Sequence, residues 1–297
     1  LAMAGADYAR EKKWADEVVP GIVVGDPVYL ELKQGHKFLT LLTPAKDAKK
    51  ALVIVHGLGI HPDWGLIGTL RTQLADQGYT TLSVQMPVLA NDAAGEQYVP
   101  IFPEAAERIA LAVDYLKAKG YPKIAIVSHS LGSRMSKAYV LKNQSKLAAW
   151  ASLGIGGGET YDGVKIPVLD LYGENDLPPV LKGAAARAAS LKGHAGSKQA
   201  KVPKADHFYN HHEAEMVQAV KDFLDAVKLS FACINSSPTA YWSCIFVSCC
   251  SCWAAACWCC AGRAWRGCTC RPPGGPWWWK CWAGSARSRR WKTTFAP

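Results

Sequence analysis

The chain has 297 residues and a formal charge of +10, but that charge is unevenly placed. Residues 1–230 hold all 24 acidic residues and 26 of the 34 basic ones, a balance of +2; residues 231–297 hold 8 basic residues, no acidic ones, all 11 cysteines and 9 of the 12 tryptophans. A near-neutral body of this length can bury one large core, and it argues against a nucleic-acid partner.

The chain opens on Leu1-Ala2-Met3-Ala4-Gly5-Ala6-Asp7. Ala4-Gly5-Ala6 fits the small-x-small rule of a secretory cleavage site, with a polar mature start at Asp7. An ordinary Ala-rich leader fits as well. Residues 1–6 are thus expected to be a signal-peptide remnant, and the protein periplasmic or secreted, with a cytoplasmic location as the alternative. The lack of cysteine in residues 7–230 suits either compartment.

Residues 28–32 and 37–42 alternate enough to pair as antiparallel strands joined through Gly35. The continuous apolar run 51–55 is the pattern of a strand covered on both faces. It ends in His56-Gly57-Leu58-Gly59, and 64–77 then reads as an amphipathic helix with Asp63 as N-cap. A strand at 80–84 leads to a long loop at 86–103 and a helix at 105–119, stopped by Gly120 and Pro122. Further strands are expected at 124–127, 147–153, 164–171 and 198–202, and helices after Ser130 to about 142, at 179–191 and at 213–227. Strands alternating with helices imply a mostly parallel, twisted sheet of about eight strands with helices on both faces.

At the centre, Ile124-Ala125-Ile126-Val127 runs into Ser128-His129-Ser130-Leu131-Gly132 and then a helical pattern. A strand, a tight turn with serine at its apex and a helix make a nucleophile elbow, which needs small residues two positions either side of the serine. Here these are Ser128 and Gly132. Alone, such a match also describes a serine capping a helix. Its weight comes from what else the same sheet edge collects. Open parallel sheets gather their chemistry beyond the carboxyl ends of the strands. Asp176 follows the strand ending at Leu171-Tyr172-Gly173, and His207 follows the last strand. A serine needs a base to become a nucleophile; a histidine can take and return the proton; a carboxylate fixes the histidine tautomer. The oxyanion then needs preorganised donors. The N–H groups of Leu58 and Leu131 stand in the right turns for that. His211, His212, His56 and His129 compete with His207, and Asp170 and Asp206 with Asp176. The loop position favours Asp176. His129 is expected to pack within the elbow, beside the substrate rather than as base.

These stretches, His56-Gly57-Leu58-Gly59, Ser128-His129-Ser130-Leu131-Gly132, Gly173-Glu174-Asn175-Asp176 and Asp206-His207-Phe208, resemble an α/β-hydrolase of the serine-hydrolase type over residues 25–230. The run from Gly57 to Trp64 and the run from Leu82 to Pro87 are similar to a little-characterised bacterial subgroup. The resemblance implies hydrolysis of a small ester, thioester or amide through an acyl-serine, by a triad of Ser130, Asp176 and His207 with Leu58 and Leu131 as oxyanion donors. It implies no cofactor and no metal, and leaves substrate identity and oligomeric state open. His61, His129 and Tyr98 are the candidate substrate-binding residues. Residues 154–165 are too few for a helical lid; the 86–103 loop, with Tyr98, Val99, Ile101 and Phe102, is the candidate cover and acyl pocket. A non-catalytic binding or scaffold protein on the same fold is the alternative.

Residues 231–297 form a second composition. The uncharged stretch 243–262 is long enough to span a bilayer, and Cys249/Cys252 and Cys257/Cys260 have C-x-x-C spacing. Yet the tail lacks histidine and is poor in Leu, Ile and Val. Its Cys, Trp, Arg, Ala, Gly and Pro bias is that of a GC-rich coding strand read out of frame, and a disordered or frame-shifted segment is expected. Membrane contact follows only if the tail is a genuine anchor.

Overall fold

Continuous apolar runs, buried on both faces, set the central strands of the sheet, and alternation marks its first strand, at the edge. In the computed structural model, which describes residues 5–227, the strands are β1 (Asp26–Glu31), β2 (Lys37–Thr43), β3 (Lys50–Val55), β4 (Thr80–Val84), β5 (Lys123–His129), β6 (Ala149–Leu153), β7 (Val168–Gly173) and β8 (Lys198–Val202). The signal-peptide expectation for residues 1–6 falls largely outside the described residues, and every expectation for 231–297 wholly outside them. The sheet order is β1-β2-β4-β3-β5-β6-β7-β8. β2 pairs antiparallel with β1 and β4, and β4 to β8 run parallel with β3.

Successive side chains of a strand point to opposite faces. Val53 and Val55 of β3 therefore enter one core cluster and Leu52 and Ile54 the other. The first cluster is closed by Ile109, Val113 and Leu116 of α3 (Phe102–Ala118) and Met135 and Tyr139 of α4 (Leu131–Asn143). The second is closed by Leu66, Leu70 and Leu74 of α2 (Gly65–Asp76) and Met216, Val220 and Phe223 of α6 (Glu213–Ala226). α5 (Pro178–Ser190) lies between β7 and β8 in the chain. Residues 154–167, between β6 and β7, carry no helix or strand. Among the described residues no helix is long and apolar enough to cross a membrane.

Two local expectations are corrected, and one helix is added. Asp63 does not cap α2: its carboxylate accepts from Nε of the buried Arg71 at 2.6 Å, and Trp64 holds the N-cap position with no side-chain hydrogen bond. A buried guanidinium has the stronger need for that oxygen. β7 starts at Val168, not 164; Pro167 has no N–H to give a ladder, which keeps 164–167 outside the strand. α1 (Tyr8–Val18) was not expected at all. Asp7 caps it, accepting from the Arg10 N–H at 3.0 Å.

Candidate active site

β5 ends at His129, and the chain turns through Ser130 at φ 54° and ψ −125° before α4 begins at Leu131. A side chain held at positive φ costs roughly 1–3 kcal/mol and persists only where its surroundings fix it. Here the Ser130 N–H donates to the Leu153 carbonyl at 2.8 Å, and the Ser133 N–H to the Ser130 carbonyl at 2.9 Å. The helix start presses on the end of β3. A Cβ added at Gly132 would lie 2.2 Å from the His56 carbonyl oxygen. At the other flank, Ser128 is more than small: its Oγ accepts from Trp150 Nε1 at 2.8 Å and pairs with Ser133 Oγ at 3.0 Å.

The β3–α2 turn comes against the serine from above. A Cβ on Gly57 would stand 2.9 Å from Ser130 Cβ, so only glycine lets the turn approach this closely. His56 holds the turn in place. Its Nδ1 donates to the Gly57 carbonyl at 2.9 Å, and its Nε2 accepts the Met86 N–H at 2.9 Å. Burial pushes its pKa down to about 3, so the ring is neutral and keeps this one tautomer. Leu131 opens α4, so its N–H has no intrahelical acceptor.

The acid and base arrive on loops after β7 and β8. Asp176 is buried; its Oδ1 accepts the Leu177 N–H at 2.7 Å and faces His207 Nδ1 at 2.5 Å, while Oδ2 accepts the Gly173 N–H at 3.2 Å. His207 Nε2 lies 2.9 Å from Ser130 Oγ. The structure thus brings Ser130, His207 and Asp176 into one hydrogen-bonded chain. Two glycines make room for it. A Cβ on Gly154, at φ +59°, would sit 3.0 Å from His207 Cε1, and one on Gly173 would collide with the Ala205 carbonyl at 2.4 Å. Neither requirement was visible from the local sequence.

The competing residues have other duties. Asp170 is fully buried and paired with Arg187 Nε at 2.9 Å, with Tyr161 and Gln199 completing its shell. Asp206 shapes the turn that presents His207: it accepts the N–H groups of Phe208 and Asn210, each at 3.0 Å, and the Asn210 side-chain amide at 2.7 Å. Although some burial works against it, these bonds hold its carboxyl below the usual range. Two substrate-binding expectations are corrected by burial. Tyr98 lies in the core and its hydroxyl accepts the Leu89 N–H at 3.1 Å, inside its own loop. His129 is buried too, its Nε2 bonded to the His207 carbonyl at 2.9 Å and its Nδ1 without a partner. Burial takes its pKa down to about 3. His61 stays half-buried, its ring 6.0 Å from that of Trp14. The expected 86–103 loop ends earlier, in a 3-10 turn over Gly95–Ile101 that runs into α3 at Phe102; on that turn Ile101 is buried while Val99 is exposed.

A mostly parallel eight-stranded sheet, an elbow after β5 and loops converging from β7 and β8 are the α/β-hydrolase fold. Solved structures agree on that fold. Est1E from Butyrivibrio proteoclasticus is 19% identical with a TM-score of 0.54, covering 68% of this chain and 98% of its own. A lid-less α/β serine hydrolase from Xanthomonas campestris is 13% identical at TM-score 0.56, covering 69% and 95%. Dienelactone hydrolase from Anabaena variabilis is 17% identical at 0.55, covering 67% and 97%. A sequence family described as a protein of unknown function (DUF3530) matches residues 28–100. No curated protein matches the chain.

Proposed function

We propose that the protein is a serine hydrolase that cleaves a small ester, thioester or amide through an acyl-Ser130 intermediate. The observation that carries this reading is the hydrogen-bonded chain from Asp176 through His207 to Ser130, at 2.5 and 2.9 Å, assembled from three separate loops. With the imidazole proton on Nδ1 against the carboxylate, Nε2 accepts the serine hydroxyl. As Oγ attacks the carbonyl carbon, its proton passes to Nε2 and the carbonyl electron pair moves onto oxygen. The N–H groups of Leu58 and Leu131 receive that oxyanion, each worth on the order of 3 kcal/mol. Collapse of the intermediate breaks the bond to the leaving group, which takes the proton from Nε2. Water, activated by the same nitrogen, then releases the acid and restores Ser130.

The test is turnover of p-nitrophenyl butyrate together with labelling by a fluorophosphonate probe. The wild-type chain is expected to turn over and to be labelled, and Ser130→Ala to lose at least 1,000-fold and resist the probe. An unlabelled wild-type protein would favour the binding or scaffold alternative.

A further inference from the structure

Nine large apolar side chains are exposed among the described residues, and three of them sit next in sequence to the proposed chemistry. Among the described residues Leu58 is 41% exposed, Leu177 48% and Phe208 37%. They adjoin Gly57 of the oxyanion turn, Asp176 and His207 respectively. Phe208 is the best placed. Its ring centroid lies 5.2 Å from that of His207 and 5.2 Å, edge-on, from that of Trp64, and 5.8 Å from that of His129. Trp64, at the start of α2, packs against the ring in a T-shaped contact. The surroundings offer little charge to hold an anion. Arg134 and Lys137, in the first turns of α4, are bound by Glu96 and Glu159.

The direction of proton return decides which end of the substrate meets this surface. His207 Nε2 must reach the leaving oxygen to protonate it. The group carried by that oxygen therefore lies on the His207 side of Ser130, and Phe208 is the exposed ring packed against His207. We propose that Phe208, backed by Trp64, is the leaving-group subsite, and that the substrates are uncharged esters of an apolar, aryl-bearing alcohol. The proposal rests on the hydrolase reading and narrows it. An edge-to-face or offset contact with Phe208 adds to the transfer of the apolar group out of water.

The full chain is to be assayed by acid release from three acetates of similar leaving-group basicity: ethyl, benzyl and carboxymethyl. Benzyl acetate is expected to show a kcat/KM at least tenfold above ethyl acetate, and the anionic carboxymethyl ester to be the poorest. Phe208→Leu and Trp64→Ala should each lower the benzyl-to-ethyl ratio at least fivefold. Both numbers come from one preparation, so loss of folded protein cancels from the ratio. A wild-type ratio near one, a ratio unmoved in both variants, or a preference for the anionic ester would overturn the subsite. Ethyl acetate turnover surviving in Ser130→Ala would instead count against the hydrolase reading beneath it.

Discussion

His207 is held from three directions: Asp176 at Nδ1, the His129 ring at its carbonyl, and the turn built on Asp206. Gly154 forms the floor under the ring. Alanine there would need both φ +59° and a methyl group 3.0 Å from Cε1. The left-handed backbone costs about 1–2 kcal/mol and the methyl displaces the imidazole. Gly154→Ala is therefore expected to lower kcat by about 100-fold with KM little changed, since misplacing a catalytic group by about 1 Å costs that much. Gly156→Ala is the control, because its Cβ would meet Val180 at an ordinary 3.5 Å, and less than a threefold change is expected. Equal kinetics for the two variants would show that the floor does not matter. Legibility at this scale follows the range of the constraint. Gly132 is readable because the elbow's close contact lies two residues from the serine. Gly154 is not, because its partner arrives from a loop more than fifty residues later. His129 is the intermediate case: its place beside the serine is plain, while its inward aim depends on where the His207 loop lands.

Among the elements, the sheet and five helices could be read from apolar periodicity, and α1 could not. Its apolar anchorage is small: Ala15 is its one fully buried apolar residue, set against Leu39 and Leu41 of β2. What ties it down is charge. Glu11 meets the fully buried Arg108 of α3 at 2.9 and 3.0 Å, and Arg108 also bonds Glu104 at 2.5 Å and the Gln85 carbonyl at 3.0 Å. Asp7 and Arg10 of the same segment reach the carbonyls of Val88 and Leu89, at the start of the loop after β4. A helix docked chiefly through ion pairs and hydrogen bonds leaves little hydrophobic stripe to detect; its sequence cue is the Asp7 cap ahead of good helix formers. Burial raises the Glu11 pKa against the pull of Arg108, so the pair is costly to make and more costly to break. Glu11→Gln is expected to lower stability by about 3 kcal/mol in urea unfolding, because it leaves a buried cation short of charge. In an Arg108→Met background the same change should cost less than about 1 kcal/mol. Equal losses in both backgrounds would show that the two residues act independently.

At the scale of the whole molecule, two histidines buried at the site edge make folding sensitive to acid. His56 and His129 are both buried and both pushed down to about 3, from an unfolded value near 6.5. Between those values the unfolded chain binds protons that the folded chain refuses, so stability falls as pH drops below about 6.5 and rises with pH across that window. At pH 5 each ring forfeits about 2 kcal/mol of what it contributes at neutral pH, and together they remove about 4 kcal/mol from a total typically of 5–15 kcal/mol. Glu11 works in the opposite sense, since its raised pKa makes protonation cheaper in the folded state than in the unfolded one. One carboxyl offsets only part of two histidines. The urea midpoint is therefore expected to fall steeply between pH 6.5 and 4.5, and His129→Gln, which keeps a donor for the His207 carbonyl but does not titrate, should flatten that slope by about half. A midpoint that stays level from pH 7.5 to pH 5 would mean that these rings accept protons within the fold. The edge would then be far more open to water than their burial implies.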